Sequence, residues 1–207
     1  MMDSKGSVPS GASGIKSDFL HYCEVHGISS AAGRLFLPLQ APSFLALAVY
    51  RFGRWVQHDS TLPRRMLFPV RIAYAIMFEV VRHLTGILLY AWVEVEDRVW
   101  FASFSPIVVG AKRIGRGTMI HSGVTLGAGG SRLARGVPTL GANVIVGPGA
   151  SVVGPVVVPD GTVIGPNTLL THSPQFTCNW LGTPAMRSKR PAELLIPGEP
   201  AFVRAGR

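Results

Sequence analysis

Two stretches decide the fold: VVGAKRIGRGTMIHSGVTLG at residues 108–127 and TLGANVIVGPGASVVGPVVVPDGTVIGPNTLL at residues 139–170. In both, a branched or long aliphatic residue returns every six positions, and one step of six plus an eight-residue insertion separates the two series. A helix repeats about every 3.6 residues and a strand about every 2, so neither element alone explains this period. The repeating residues are Val108, Ile114, Ile120, Leu126, Leu140, Val146, Val152, Val158, Ile164 and Leu170.

A chain that turns a corner every six residues, with three edges in each coil, forms a parallel β-helix. The aliphatic residue of each edge stacks on its equivalents in the interior, because each coil must bury its inner face against the next. Glycine follows the aliphatic residue repeatedly, where a tight turn disfavours a side chain. Small or β-branched residues recur four positions after it: Thr118, Val144, Ala150, Val156, Thr162 and Thr168. The sequence therefore predicts a mainly β fold.

We expect four segments along the chain. Residues 1–16 are rich in Gly and Ser without an apolar run, so they are predicted to be disordered and not a signal peptide. Residues 17–93 are predicted to be α-helical, and residues 94–173 to form the β-helix, beginning with an irregular coil. Residues 174–207 contain Pro174, Pro184, Pro191, Pro197 and Pro200 and are predicted to be an extended tail.

Residues 69–93 form the most apolar part of the helical region and raise the question of a membrane. The charged and titratable side chains Arg71, Glu79, Arg82 and His83 fall in one sector of a helical wheel. A spanning segment rarely carries three formal charges so close together. Burial against neighbouring subunits is the preferred interpretation, and peripheral contact with a membrane surface is the second.

Charge and cysteine content limit the classes of partner. Lys and Arg outnumber Asp and Glu by 20 to 11, for a formal net charge of +9, which suits an anionic partner but also simple solubility. Aromatic residues are not interleaved with the basic ones, so nucleic acid ranks last. The two cysteines, Cys23 and Cys178, give no disulfide framework, and a reducing, cytoplasmic environment is expected.

Several motifs resemble the serine acetyltransferase branch of the hexapeptide-repeat acyltransferases. They are VTLGAGG at 124–130, PTLGANVIVGPGASVVG at 138–154, IGPNTLL at 164–170, GTPA at 182–185 and YRFGRW at 50–55. The resemblance covers roughly residues 48–187. It implies a left-handed coil and homotrimers, or a dimer of trimers, with a groove between neighbouring prisms. It also implies acetyl-CoA as co-substrate, no metal, and a hydroxyl acceptor such as L-serine, as in cysteine biosynthesis.

Both histidines expected from the family are replaced. Aligned without gaps, Ser103 stands where the family base precedes a G-I-V-[IV]-G run, and Val137 stands where a second histidine occurs in the inserted loop. Acetyl transfer to a hydroxyl needs a base to take its proton. His121 is the candidate, since imidazole titrates near neutrality, although a packing role is also compatible. His172, at the end of the coil, is interpreted as structural.

The resemblance places the cofactor along stacked coils, at Gly127, Ala150 and Thr168, where small residues leave backbone groups accessible. Arg187 and Lys189, after GTPA, are candidates for contact with the CoA phosphates, and Arg132 and Arg135 lie in the inserted loop. The same residue types also serve turns or a solvated tail.

Three alternatives remain at the level of sequence. The absent histidines favour a catalytically silent trimeric scaffold or partner subunit of the same fold. The apolar helix favours a sugar or polysaccharide O-acetyltransferase acting near a membrane. A γ-type carbonic anhydrase would need three imidazoles for zinc, and only His121 and His172 lie in the coils.

Overall fold

The helical region precedes the strands and covers the first coil. The computed structural model describes residues 8–102, 106–129 and 136–188. Its helices are α1 (Gly11–Val25), α2 (Ala31–Leu35), α3 (Leu37–Gln40), α4 (Pro42–Arg54), a π-helical turn (Trp55–Asp59) and α5 (Arg64–Thr85). Helices α1 and α5 both pack against α4.

Helix α1 begins at Gly11, six residues before the predicted start of the helical region, so residues 11–16 are helical rather than disordered. The physical reason is a buried ion pair that fixes α1 to α4: Arg51 Nε lies 2.7 Å from Asp18 Oδ2. Both side chains are buried, so each charge depends on the other for its solvation. Residues 1–7 lie outside the described part of the chain.

Helix α5 also differs from the predicted segment 69–93. It starts at Arg64, contains Pro69, and ends at Thr85 because Gly86 adopts a left-handed conformation with φ 73°. The following residues form the first strand, so the β-helix begins at Ile87 rather than at residue 94. Among the described residues, no helix has the length and apolar character needed to cross a bilayer.

Fifteen short strands follow among the described residues. They are β1 (Ile87–Leu89), β2 (Glu94–Val95), β3 (Trp100–Phe101), β4 (Ile107–Val109), β5 (Arg113–Ile114), β6 (Met119–Ile120), β7 (Thr125–Gly127), β8 (Thr139–Leu140), β9 (Ile145–Val146), β10 (Ser151–Val153), β11 (Val157–Val158), β12 (Val163–Ile164), β13 (Leu169–Leu170), β14 (Asn179–Leu181) and β15 (Met186–Ser188).

The strands form three sheets, and from β1 to β13 the chain visits them in strict rotation. Face A holds β1, β4, β7, β10 and β13; face B holds β2, β5, β8 and β11; face C holds β3, β6, β9, β12, β14 and β15. Within the part of the chain that the structure describes, these strands pair in parallel except β14 with β15. This arrangement is the predicted β-helix, of about four turns.

The aliphatic repeat fills the interior in register. On face B, for example, Val95 pairs with Ile114, which pairs with Leu140, and Leu140 pairs with Val158. All four side chains are buried. The small residues four positions after the repeat are buried as well, as stacked corners require.

The predicted phase is wrong at Val108, which is 40% exposed, whereas Ile107 and Val109 are buried. Side chains alternate along the three-residue strand β4, and Val109 pairs with the interior residue Leu126. Only five positions separate Val109 from Ile114, so this coil departs from the six-residue step.

Glycines at the corners allow adjacent coils to approach. A Cβ added at Gly115 would lie 2.4 Å from the carbonyl carbon of Gly141, a distance that real contacts do not show. Because the obstructing atom is backbone, relief would require the coils to separate.

The C-terminal segment is more regular than predicted. Strand β14 continues face C beside β12, and β15 folds back on it as an antiparallel hairpin. Residues 179–181 and 186–188 therefore belong to the sheet, in place of part of the extended tail expected over 174–207. The backbone of β12 would otherwise present an unpaired edge, which explains why the chain adds strands here. Residues 189–207 lie outside the described residues.

Side chains of the helical region bond the open edge of the first coil. Tyr50 Oη donates to Val93 O at 2.6 Å and accepts from Val95 N at 3.1 Å. Arg51 donates to Val95 O at 2.6 Å and to Glu96 O at 2.7 Å. On face C, Tyr22 Oη accepts from Phe101 N at 3.1 Å. These groups replace the hydrogen bonds of an absent preceding coil, which buried backbone requires.

Candidate functional site

The candidate base lies at the corner where the chain passes from face C to face A. His121 directly follows β6, and its ring is half-buried. Ring atom Nδ1 lies 3.0 Å from the carbonyl oxygen of Val146 on the next coil. A carbonyl only accepts, so this bond assigns the proton to Nδ1 and leaves the lone pair of the neutral imidazole on Nε2.

Trp100 packs against the imidazole from the preceding coil. The two ring centroids are 5.6 Å apart, with an interplanar angle of 68°, an edge-to-face contact. Trp100 and the bond to Val146 together limit the rotation of the ring. No sequence motif pointed to Trp100; the pairing of β3 with β6 could have suggested it, because this register puts Trp100 beside Met119, two residues before His121.

On the next two coils, glycine occupies the position that corresponds to His121. Ile120 pairs with Val146 and Val146 with Ile164, so His121 is followed along the column by Gly147 and Gly165. A Cβ on Gly147 would lie 2.8 Å from the carbonyl carbon of Gly165. Glycine permits this close stacking, and it also leaves a strip of bare backbone next to the imidazole.

Two of the candidate cofactor residues point inward at this same corner. Ala150 and Thr168 are buried on successive coils, in register with Val124. Their carbonyl oxygens already accept bonds from Thr125 N at 3.0 Å and Ser151 N at 2.8 Å. Ala150 and Thr168 would therefore help a ligand by keeping this corner small, and not by presenting a polar side chain to it.

Gly127 lies at the opposite end of face A, opposite Val153, and is not grouped with Ala150 and Thr168. The nearest atom to an added Cβ there is Thr125 Cγ2, at 3.9 Å. Within residues 8–102, 106–129 and 136–188, neither packing nor a positive φ therefore requires glycine at this position. A ligand that approaches the backbone closely would explain it.

Arg187 lies on β15 at the outer edge of face C, where it is exposed and opposite Trp180. This position is distant in the sheet order from β6, which precedes His121. His172 packs edge-to-face against Trp180, with centroids 5.3 Å apart, as a structural residue would. Ser103, Arg132, Arg135 and Lys189 lie outside the described residues. Val137 is described and half-buried, without titratable chemistry.

Over residues 8–102, 106–129 and 136–188, no three His, Cys, Asp or Glu side chains come together as a metal-binding group.

Comparison with known proteins gives relatives of one kind. No family model matches the chain. It is 27% identical over 146 residues to a serine acetyltransferase of Synechococcus elongatus, covering 69% of this chain and 55% of that protein. It is 30% identical over 107 residues to the Staphylococcus xylosus enzyme, covering 51% of this chain and 50% of that protein. The chain thus spans about half the length of these two curated relatives.

The Helicobacter pylori serine acetyltransferase is matched more completely, at 31% identity over 130 residues, which cover 62% of this chain and 71% of that protein. Among solved structures, serine acetyltransferase (CysE) of Neisseria gonorrhoeae superposes with a TM-score of 0.64 at 21% identity, over 87% of this chain and 67% of that one. The soybean serine acetyltransferase apoenzyme gives a TM-score of 0.63 at 20% identity, over 85% and 69%. At these identities the structural likeness establishes the fold.

The fold and these matches place the chain in the class of the hexapeptide-repeat acyltransferases, which have a left-handed β-helix. The match to the Helicobacter relative is extensive enough to be more specific. The chain belongs to the serine acetyltransferase family.

Proposed function

We propose that this protein is an O-acetyltransferase that moves an acetyl group from acetyl-CoA to the hydroxyl of L-serine or a similar small metabolite. Membership of the family supports the reaction class. Structures similar to this chain include a serine acetyltransferase in complex with CoA and others in complex with serine and with cysteine. The observation that carries the proposal is His121, held at a glycine-lined corner of the β-helix by its bond to Val146.

In the proposed reaction, Nε2 of His121 takes the proton of the acceptor hydroxyl. The hydroxyl oxygen forms a bond to the acetyl carbonyl carbon, the carbon–sulfur bond of the thioester breaks, and the proton passes from the imidazolium to the departing thiolate. General-base catalysis of this kind contributes about 100- to 10,000-fold to the rate. The carbonyl of Val146 stabilises the imidazolium by accepting from Nδ1 throughout.

The cofactor would lie along the stacked coils. Gly127 supports this placement most strongly, because no described residue packs closely enough against it to require a glycine. Ala150 and Thr168 would keep the corner small, and the guanidinium of the exposed Arg187 would pair with a CoA phosphate. We extend the proposal to a homotrimer, or a dimer of trimers, in which the groove lies between neighbouring prisms.

One observation favours a second candidate, a catalytically silent scaffold or partner subunit. Val137 stands where the family has its second histidine, and no other described imidazole lies on the coils besides His121 and His172. A scaffold would retain the β-helix and the binding groove without a base.

Turnover tests the two candidates. The purified protein is incubated with acetyl-CoA and L-serine, or with other small hydroxylated acceptors including sugars, and thiol release is followed with a thiol-reactive dye. We expect acceptor-dependent release, a loss of about 100-fold or more in His121→Ala, and little change in the matched control His172→Ala. Equal rates in wild type and His121→Ala would remove His121 from the mechanism. Binding of CoA without release for any acceptor would support the scaffold instead.

A further inference from the structure

Helix α5 exposes a continuous apolar surface, which we call the α5 stripe. Its residues follow an i, i+4 spacing, which at 3.6 residues per turn runs obliquely across the exposed side of the helix: Phe68, Ile72, Ile76, Val80 and Leu84, flanked by Met66 and Met77. The exposed fractions of these side chains run from 43% to 70%. The sixteen steps from Phe68 to Leu84, at about 1.5 Å each, make the stripe about 24 Å long. An exposed apolar patch of this extent marks an interaction surface.

The opposite side of α5 is already occupied. Tyr74 contacts α4 so closely that a Cβ on Gly53 would overlap its ring, and Phe52 and Tyr74 have centroids 6.4 Å apart. The helix is therefore apolar on both the packed and the exposed side, a pattern that requires a second apolar environment.

Charge distinguishes the possible environments. The α5 sequence holds four arginines and one glutamate, for a formal charge of +3. The glutamate, Glu79, is already paired, with Oε2 2.5 Å from Arg82 Nη2. Arg65 and Arg71 are exposed. Two copies of α5 packed on each other would bring these positive charges together, whereas a negatively charged bilayer surface would attract them.

Aromatic side chains extend the surface beyond the end of α5. Phe78 stacks on Tyr90 at 5.9 Å, and Tyr90 stacks on Trp92 at 6.2 Å. Tyr90 and Trp92 are 40% and 48% exposed. Tyrosine and tryptophan favour the region between lipid headgroups and acyl chains, since each has an apolar ring and a polar group.

We propose that the α5 stripe binds an anionic bilayer surface, with the helix lying in the plane of the headgroups. The apolar residues enter the acyl boundary while the arginines contact lipid phosphates. Such binding would hold the β-helix, and any acetylation it performs, next to the membrane. The inference does not depend on acetyl transfer, because it rests on α5 alone.

Vesicle flotation of the full chain, without acetyl-CoA, tests this inference. The vesicles contain either phosphatidylcholine alone or equal parts phosphatidylcholine and phosphatidylglycerol. We expect binding to the anionic vesicles, a reduction of about tenfold in partitioning for Ile76→Glu, and a reduction of about fivefold for Arg71→Gln. The matched control Phe176→Glu also adds a carboxylate at an exposed apolar residue, distant from α5, and should bind as wild type does.

Either of two results would overturn the proposal. One is the absence of vesicle binding, or equal binding by wild type and Ile76→Glu. The other is that Ile76→Glu lowers the oligomer mass in sedimentation without any vesicle binding by the wild type, which would assign the stripe to a second copy of the chain. Neither result affects the acetyl-transfer assay, so either proposal can be refuted without refuting the other.

Discussion

Replacing Tyr50 with Phe removes one hydroxyl from the junction between the helical region and the first coil. That hydroxyl accepts from Val95 N at 3.1 Å and donates to Val93 O at 2.6 Å. Without the hydroxyl, Val93 O still accepts a long hydrogen bond from Arg54 Nη1 at 3.4 Å. Val95 N, in β2, loses the hydroxyl oxygen that accepts from it. A buried backbone donor left without a partner costs about 1–3 kcal/mol.

We therefore expect Tyr50→Phe to lower the free energy of unfolding by about 1–3 kcal/mol, with an unchanged denaturant slope. Urea unfolding followed by circular dichroism measures the change. The protein concentration is held fixed, because the apparent stability of an oligomer depends on it. Tyr90→Phe is the matched control: Tyr90 is 40% exposed, and its loss should stay within about 0.5 kcal/mol. Equal stability of the two variants would refute the view that α4 satisfies the open edge of the β-helix.

Further predictions concern two glycines and one histidine. Gly115→Ala should lower the free energy of unfolding by about 1–3 kcal/mol in urea titrations, because its Cβ would meet the Gly141 backbone at 2.4 Å. Gly127→Ala, with room for a Cβ, should unfold as wild type does yet bind CoA about tenfold more weakly by calorimetry; unchanged affinity would exclude Gly127 from the cofactor site. Burial lowers the pKa of His21 below its ordinary value of 6.5, so the unfolded chain binds this proton at a higher pH than the folded chain does. The free energy of unfolding should therefore fall as the pH drops through that value. His21→Gln should lose less stability over the same pH range in urea titrations, and an identical pH profile would contradict this assignment.

The hexapeptide period predicted the β-helix because each coil repeats one packing requirement. From Ile114 to Ile164, every predicted interior residue is buried. The prediction that Val108 is an interior residue was wrong, because β4 does not keep the six-residue step. A sequence period does not show where a single coil departs from it. The sequence did not reveal that the β-helix starts at Ile87, because the first strand is as apolar as the helix before it.

The candidate site was less predictable than the fold. His121 could be chosen by chemistry alone, but its tautomer depends on Val146, twenty-five residues later in the chain. The motif YRFGRW was recognised only as a resemblance. Its role in bonding the first coil depends on contacts of Tyr50 and Arg51 with residues more than forty positions away, which no local pattern encodes.

The central claim is acetyl transfer from a thioester to a small hydroxylated acceptor. Its most direct test is mass spectrometry of L-serine and other hydroxylated acceptors after incubation with acetyl-CoA carrying an isotopically labelled acetyl group. We expect a labelled O-acetyl product in wild type that is strongly reduced in His121→Ala. A complete absence of label in every acceptor, together with no CoA binding in calorimetry, would contradict it.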